Sequence, residues 1–281
     1  KTNIIKGEAL LDQNFPMIHA VGRASDQQPR LLDMQWGENN NPKITLVGKG
    51  VCFDTGGLNI KPTASMGLMK KDMGGSATVL GLAHMIMSLN LKVNLRVIIP
   101  AVENSISSNS FRPQDILISR KGMSVEINHT DAEGRLILAD ALSLADEDKP
   151  DLLICNATLT GAARVALGPD MPPFFTDDDE LADQIQKASI ENVDPLWRMP
   201  FWAPYESLIE PEVADLDNAP KGGFAGAITA ALFLRRFVEK SKYFVHFDLF
   251  AWSPVHKPSQ TQGGACQSAR AMLSVIEKRY E

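Results

Sequence analysis

Cysteine is scarce in this 281-residue chain: Cys52, Cys155 and Cys266 stand far apart, an odd number with no C-x-x-C pair. That excludes a disulfide framework and a thiolate zinc site, and it leads us to expect a reducing, cytoplasmic setting. Basic charge is also short, with 28 Lys and Arg against 34 Asp and Glu and a net charge of -6. No basic block or stripe is present to attract a phosphate backbone, which argues against nucleic acid as the main partner. Apolar runs stay well below the ~20 residues that a membrane helix needs, so no membrane role is expected. No basic stretch followed by an apolar one opens the chain, as a secretory leader would.

Several catalytic signatures are missing as well. There is no G-x-S-x-G elbow, which argues against a serine hydrolase. The five histidines, His19, His84, His129, His246 and His256, show neither H-E-x-x-H nor any other ligand spacing. "GKG" at 48–50 is neither a phosphate loop nor a dinucleotide fingerprint, because the remaining positions of both patterns are absent. Cys52 lies beside acids but has no nearby histidine to activate it, and reads as a small apolar core residue.

What is present is 44% apolar composition arranged as alternating strand-like and helix-like runs. "KITLVGKGVCF", "LKVNLRVIIPAV", "PDLLICNATL" and "YFVHFDLF" read as strands. Between them "GGSATVLGLAHMIMSLN", a run from about Leu136, a run from Asp178 with Asp177 and Glu180 as capping box, and "GAITAALFLRRF" read as helices, and a last helix is expected from about Ala265. Such alternation implies an α/β fold, a three-layer αβα sandwich with a mixed, mostly parallel central sheet. Residues 1–42, punctuated by "SDQQPR" and "GENNNP", read as an irregular lead-in from a further N-terminal domain, leaving 43–281 as the working domain.

The chemistry concentrates where apolar runs end. "VGKGVCFDTGG" carries Lys49 and Asp54, "IKP" carries Lys61, and "KKDMGG" carries Asp72 just before a helix. "NHTDAEGRL", 128–136, sets Asp131, Glu133 and Arg135 at alternating positions; in extended backbone all three would point to one side. "ENSISSNSFRPQD" is a polar loop suited to a rim. Ligands of open α/β sheets gather outside the carboxyl ends of strands. Acids so crowded need a counter-charge, and two divalent ions about 3.5 to 4 Å apart would supply it in a hydrolase.

Together with "ATLTGA", these stretches in this order resemble the motif set of the leucyl aminopeptidase family, two-metal cytosolic enzymes that remove N-terminal residues from peptides. The resemblance covers about Lys43 to the end of the chain. It implies one ion, zinc or manganese with magnesium as a further option, held by Lys49, Asp54, Asp72 and Glu133. Its neighbour would be held by Asp54, Asp131 and Glu133. It implies catalytic roles for Lys61 and for Arg135, the latter as the anchor of a bicarbonate that moves the proton. It also implies a pocket for the first side chain at Met69, Thr158 and Gly161 with an apolar, Leu-like preference, and a homohexamer acting on peptides. Two positions depart from the family pattern: His129 stands where an Asn usually does, and bulky Phe250 where an Ala often does. The alternative is a family member serving mainly as a regulatory or DNA-associated protein, against which the intact ligand set and the missing basic patch both count.

Overall fold

The computed structural model describes residues 1–280. Nine strands join in one sheet: β1 (Thr2–Lys6), β2 (Arg30–Trp36), β3 (Lys43–Gly48), β4 (Gly50–Asp54), β5 (Asn94–Asn104), β6 (Leu152–Ala157), β7 (Pro173–Phe175), β8 (Trp197–Arg198) and β9 (Phe244–Asp248). The order is β1-β2-β5-β3-β6-β9-β7-β8, with β4 extending the pairing along β5. The centre, β5-β3-β6-β9, is parallel, and antiparallel pairs flank it at β2-β5 and β9-β7.

Helices cover both faces: α1 (Pro16–Gly22), α2 (Gly74–Ser88), α3 (Gly134–Glu147), α4 (Gly161–Leu167), α5 (Asp179–Glu191), α6 (Gly226–Arg235) and α7 (Ala269–Tyr280). Side chains alternate across a strand, so each central strand feeds two cores. Val47, Ile98 and Leu153 meet α1, α3 and α6 on one face. Leu46, Val97 and Ile154 meet α2, α5 and α7 on the other. The expected three-layer sandwich is what the chain forms.

Five expectations need correction. Cys52, read as a core residue, is exposed. Residues 1–42 are not an irregular lead-in: β1 and β2 extend the sheet, and Phe15, Ile18 and Leu31 are buried in its core. The apolar residues there come in pieces too short to announce themselves between the turns, and tertiary pairing completes them. "KITLVGKGVCF" is two strands, parted at Lys49, whose side chain turns into the carboxylate cluster. The cap of α5 is Asp178, whose Oδ1 accepts from the Leu181 N–H at 2.7 Å, while Asp177 instead pairs with Arg235. The last helix starts at Ala269, because 263–264 form a short strand pair with 252–253 and Asp194 accepts from the N–H groups of Ser268, Arg270 and Ala271.

Candidate metal centre

The carboxyl ends of the parallel strands open into a cleft of about 410 Å³. β3 delivers Lys49 and β4 delivers Asp54. Asp72 arrives at the end of a short 3-10 turn, 69–71, just before α2. Glu133 is the N-cap of α3, yet its carboxylate makes no hydrogen bond to its own helix and faces the cluster instead. β6 runs on into Thr158.

Asp131, Glu133 and Arg135 do converge, though not in extended backbone. Thr130 and Asp131 form a turn, Glu133 has helical torsions of -73° and -33°, and Arg135 lies in the first turn of α3. The run "GRLILADALSLADE" carries the apolar content of a buried helix, and its start claims the positions that alternation had assigned to a strand. Gly134 makes the approach possible: a Cβ there would lie 2.6 Å from Cε of Lys49. Gly75 does the same for α2, where a Cβ would meet the Asn156 carbonyl oxygen at 2.2 Å.

The six charged groups interlock. Lys49 Nζ lies 2.8 Å from Asp72 Oδ2 and 2.9 Å from Glu133 Oε1. Lys61 Nζ lies 2.8 Å from Asp54 Oδ2 and also pairs with Asp131. Lys49, Asp54, Asp72 and Glu133 are each no more than 3% exposed. Burial opposes the charge on Lys49, but Asp72, Glu133 and Asp54 overcome it and raise its pKa. Burial likewise opposes Lys61, and Asp54 with Asp131 raises its pKa too. Burial and the neighbouring Asp54 push Glu133 well above the usual carboxylate range and lift Asp131 to about 6. Asp54 goes the other way: burial is outweighed by Lys49, Lys61 and the Gly56 N–H.

The donor set fits a pair of hard cations. Asp54, Asp131 and Glu133 can each offer an oxygen within 4.8 Å of the others. Asp72 Oδ2, Asp131 Oδ1 and Glu133 Oε1 are buried and accept no hydrogen bond of normal geometry, although lysine Nζ atoms stand within ion-pair range. Carboxylates facing one another with free lone pairs are what a divalent ion binds. Lys49 and Lys61 set opposite charge beside these acids. Lys49 could join a cation's donor set only through a neutral nitrogen.

Arg135 lines the same cleft, 8% exposed, with Nε and one Nη lacking partners and the guanidinium carbon 5.8 Å from the Phe233 ring centroid. Burial lowers its pKa to about 10, which still leaves it charged at neutral pH. Met69, Thr158 and Gly161 line the cleft, and Thr158 Oγ1 donates to Asp72 Oδ1 at 2.7 Å. His129 is exposed; its Nδ1 accepts from the Asp131 N–H at 3.2 Å, the local turn contact an Asn also makes. Burial and the nearby Lys61 lower the pKa of the His129 imidazole, so this departure sits at the edge of the charged cluster.

Sequence reasoning missed Asn104 and Asp248. Asn104 ends β5, and its Nδ2 donates to Asp54 Oδ1 at 2.8 Å and to the Thr130 carbonyl at 3.1 Å, locking the two loops that carry Asp54 and Asp131. Its position at the end of an apolar run, ahead of the rim loop, was the available signal. Asp248 ends β9 and accepts from the N–H groups of Leu159 and Thr160 and from Thr160 Oγ1, fixing the start of α4.

A three-layer α/β sandwich with paired carboxylates at the strand ends defines a metal-dependent hydrolase class of site. The model of the cytosol aminopeptidase family, catalytic domain, matches residues 1–273, and this chain belongs to that family. It is 45% identical over 239 residues to a cytosol aminopeptidase of Encephalitozoon cuniculi, covering 84% of this chain and 49% of that protein. A crystal structure of a cytosol aminopeptidase from Coxiella burnetii matches with a TM-score of 0.97 at 51% identity, over 100% of this chain and 61% of that one. The bottromycin maturation enzyme BotP in complex with Mn matches with a TM-score of 0.94 at 33% identity, over 100% and 63%. The chain spans about half the length of the curated relatives it matches.

Proposed function

We propose that this chain carries the active site of a metal-dependent aminopeptidase that hydrolyses the bond after the first residue of a peptide. The observation behind this reading is the convergence of Asp54, Asp131 and Glu133, with Asp72 joined to Glu133 through Lys49, beside an open cleft that Asp54, Asp72 and Asp131 line. Lys49, Asp54, Asp72 and Glu133 would hold one ion, and Asp54, Asp131 and Glu133 its neighbour. Zinc or manganese suits this set, with magnesium as a harder alternative; the Mn complex of the related BotP supports manganese. Bound there, such ions would lower the pKa of a water they bridge and polarise a carbonyl.

The chain's own groups do the rest. Lys61 keeps its proton between Asp54 and Asp131 and is placed to donate to the scissile carbonyl oxygen as negative charge grows. Arg135 cannot serve as a base. Its unpartnered N–H groups suit a small anion, bicarbonate being the candidate, that accepts a proton beside the cleft. The free α-amine of the peptide would bind at the metal centre that Asp54, Asp72, Asp131 and Glu133 would hold, and this would select the N-terminus. Met69, Thr158 and Gly161 receive the first side chain, and Met69 suits the apolar, Leu-like preference expected from the sequence. Peptides in the cytoplasm are the proposed substrates and a homohexamer the proposed assembly. Net charge of -6 and an intact donor cluster favour this over a DNA-associated regulator.

The test is hydrolysis of an aminoacyl chromogenic amide with and without a chelator, together with metal content. We expect chelator-sensitive cleavage, and loss of both cleavage and bound metal in an Asp72→Ala, Glu133→Ala double variant. Full activity of that variant would overturn the assignment.

A further inference from the structure

We propose that the pocket for the first side chain selects an acidic residue, glutamate or aspartate, through Lys71 and Arg164. The proposal rests on the aminopeptidase reading and names its substrate class; it departs from the Leu-like preference that Met69 alone suggests.

The wall formed by Met69, Thr158 and Gly161 continues into Lys71, Arg164 and Phe250, all facing the same cleft. Lys71 is 8% exposed, yet its ammonium has no carboxylate within 4.0 Å and no hydrogen-bond acceptor among the described residues. Its Nζ lies 5.1 Å from the Phe250 ring centroid. The Arg164 guanidinium carbon lies 4.6 Å from the same centroid and has no carboxylate partner among those residues either. Its Nη2 would be 4.0 Å from a Cβ on Gly161, so the cation stands over the pocket-lining glycine.

The acids close enough to act on Lys71 are both committed. Asp72 pairs with Lys49 and accepts from Thr158 Oγ1. Asp248 accepts from two backbone N–H groups and from Thr160 Oγ1. Two cations therefore share one aromatic ring with no anion between them. The ring face offsets only part of the cost of holding a largely buried lysine at the cleft wall without an anion. An apolar side chain entering here would strip more water from Lys71 and return nothing. A side-chain carboxylate would supply the missing charge and accept charge-assisted hydrogen bonds from both groups.

The experiment compares kcat/KM of the manganese-loaded full chain on Glu, Gln and Leu amides of one chromophore. Such amides have no C-terminal carboxylate, so any preference for acid belongs to the first side chain. Glu is expected to exceed its uncharged isostere Gln by about tenfold or more. Arg164→Met, at an exposed position, and Lys71→Met are each expected to lower the Glu-to-Leu ratio by about tenfold, and Lys71→Arg to restore it. Leu equal to or better than Glu, with the ratio unmoved by either Met variant, overturns the proposal. So does a requirement for a free C-terminal carboxylate, met by Leu-Gly but not by Leu amide, because the cations would then be reading the far end of the substrate. If no amide is cleaved, the aminopeptidase reading fails by itself, and the pocket is read by calorimetry. Free glutamate binding more tightly than leucine, and losing that advantage in Arg164→Met, upholds the acidic pocket; equal binding ends it.

Discussion

The two halves of α3 treat buried acid in opposite ways. At its start Glu133 faces Asp54 and Asp131 with an oxygen that accepts no well-formed hydrogen bond. Further along, Asp140 accepts from the N–H groups of Met17, Ile18 and Arg120, at 2.8, 3.2 and 2.8 Å. Near the end Asp146 accepts from the N–H groups of Glu239, Lys240 and Ser241. Burial is nearly complete in all three cases, at 1%, 0% and 5% exposure. What separates a structural carboxylate from a candidate ligand is thus the partner. Asp140 and Asp146 are answered by backbone dipoles that fold with them, whereas Glu133 faces other acids and, among the described residues, pairs only with Lys49.

That contrast can be broken at three points. Asp140→Ala leaves three buried N–H groups without an acceptor and should cost about 3 kcal/mol or more in urea unfolding, with kcat/KM per folded molecule unchanged. Loss of activity in proportion would mean the two halves of the helix are not separable. Second, a divalent ion at 100 times its dissociation constant should stabilise the protein by about 2.7 kcal/mol, and this increment should vanish in Glu133→Gln. The metal-free Glu133→Gln protein should unfold close to the parent, since Gln can still accept from Lys49. A large destabilisation would make Glu133 a structural residue after all.

The smallest effect concerns His246 in β9, fully buried and stacked on Phe175 at 5.9 Å. Burial holds its pKa down at about 3, against 6.5 for the ordinary imidazole. A folded state that refuses a proton which the unfolded state accepts loses stability as pH falls. Its contribution is intact above pH 6.5 and drains away toward pH 3, by about 1 kcal/mol at pH 5.5. His246→Phe should flatten that slope without touching metal affinity, which urea midpoints from pH 7 to 4.5 would show.

The central strands and α2 were legible because each carries its own apolar period over many residues. Lys49, Asp54 and Asp72 were legible because each interrupts or ends such a period with charge beside glycine. Asn104 was not, since a single amide at a strand end looks the same whether it meets solvent or Asp54. Lys71 was not legible, because nothing local separates it from its exposed neighbour Lys70, yet it is buried under Phe250, a residue 179 positions later. Nor could β1 and β2 be separated from linker, because β1 pairs only with β2, and the other edge of β2 is satisfied only by β5, far along the chain.

The sequence by itself determined the layered α/β architecture and the roster of charged residues at its strand ends, for periodicity and residue type are local properties. Only the tertiary structure decided which acids face one another, which are quieted by backbone N–H groups, and which cations are left without an anion. Those outcomes depend on distances between segments that the chain brings together only when the sheet closes and water leaves.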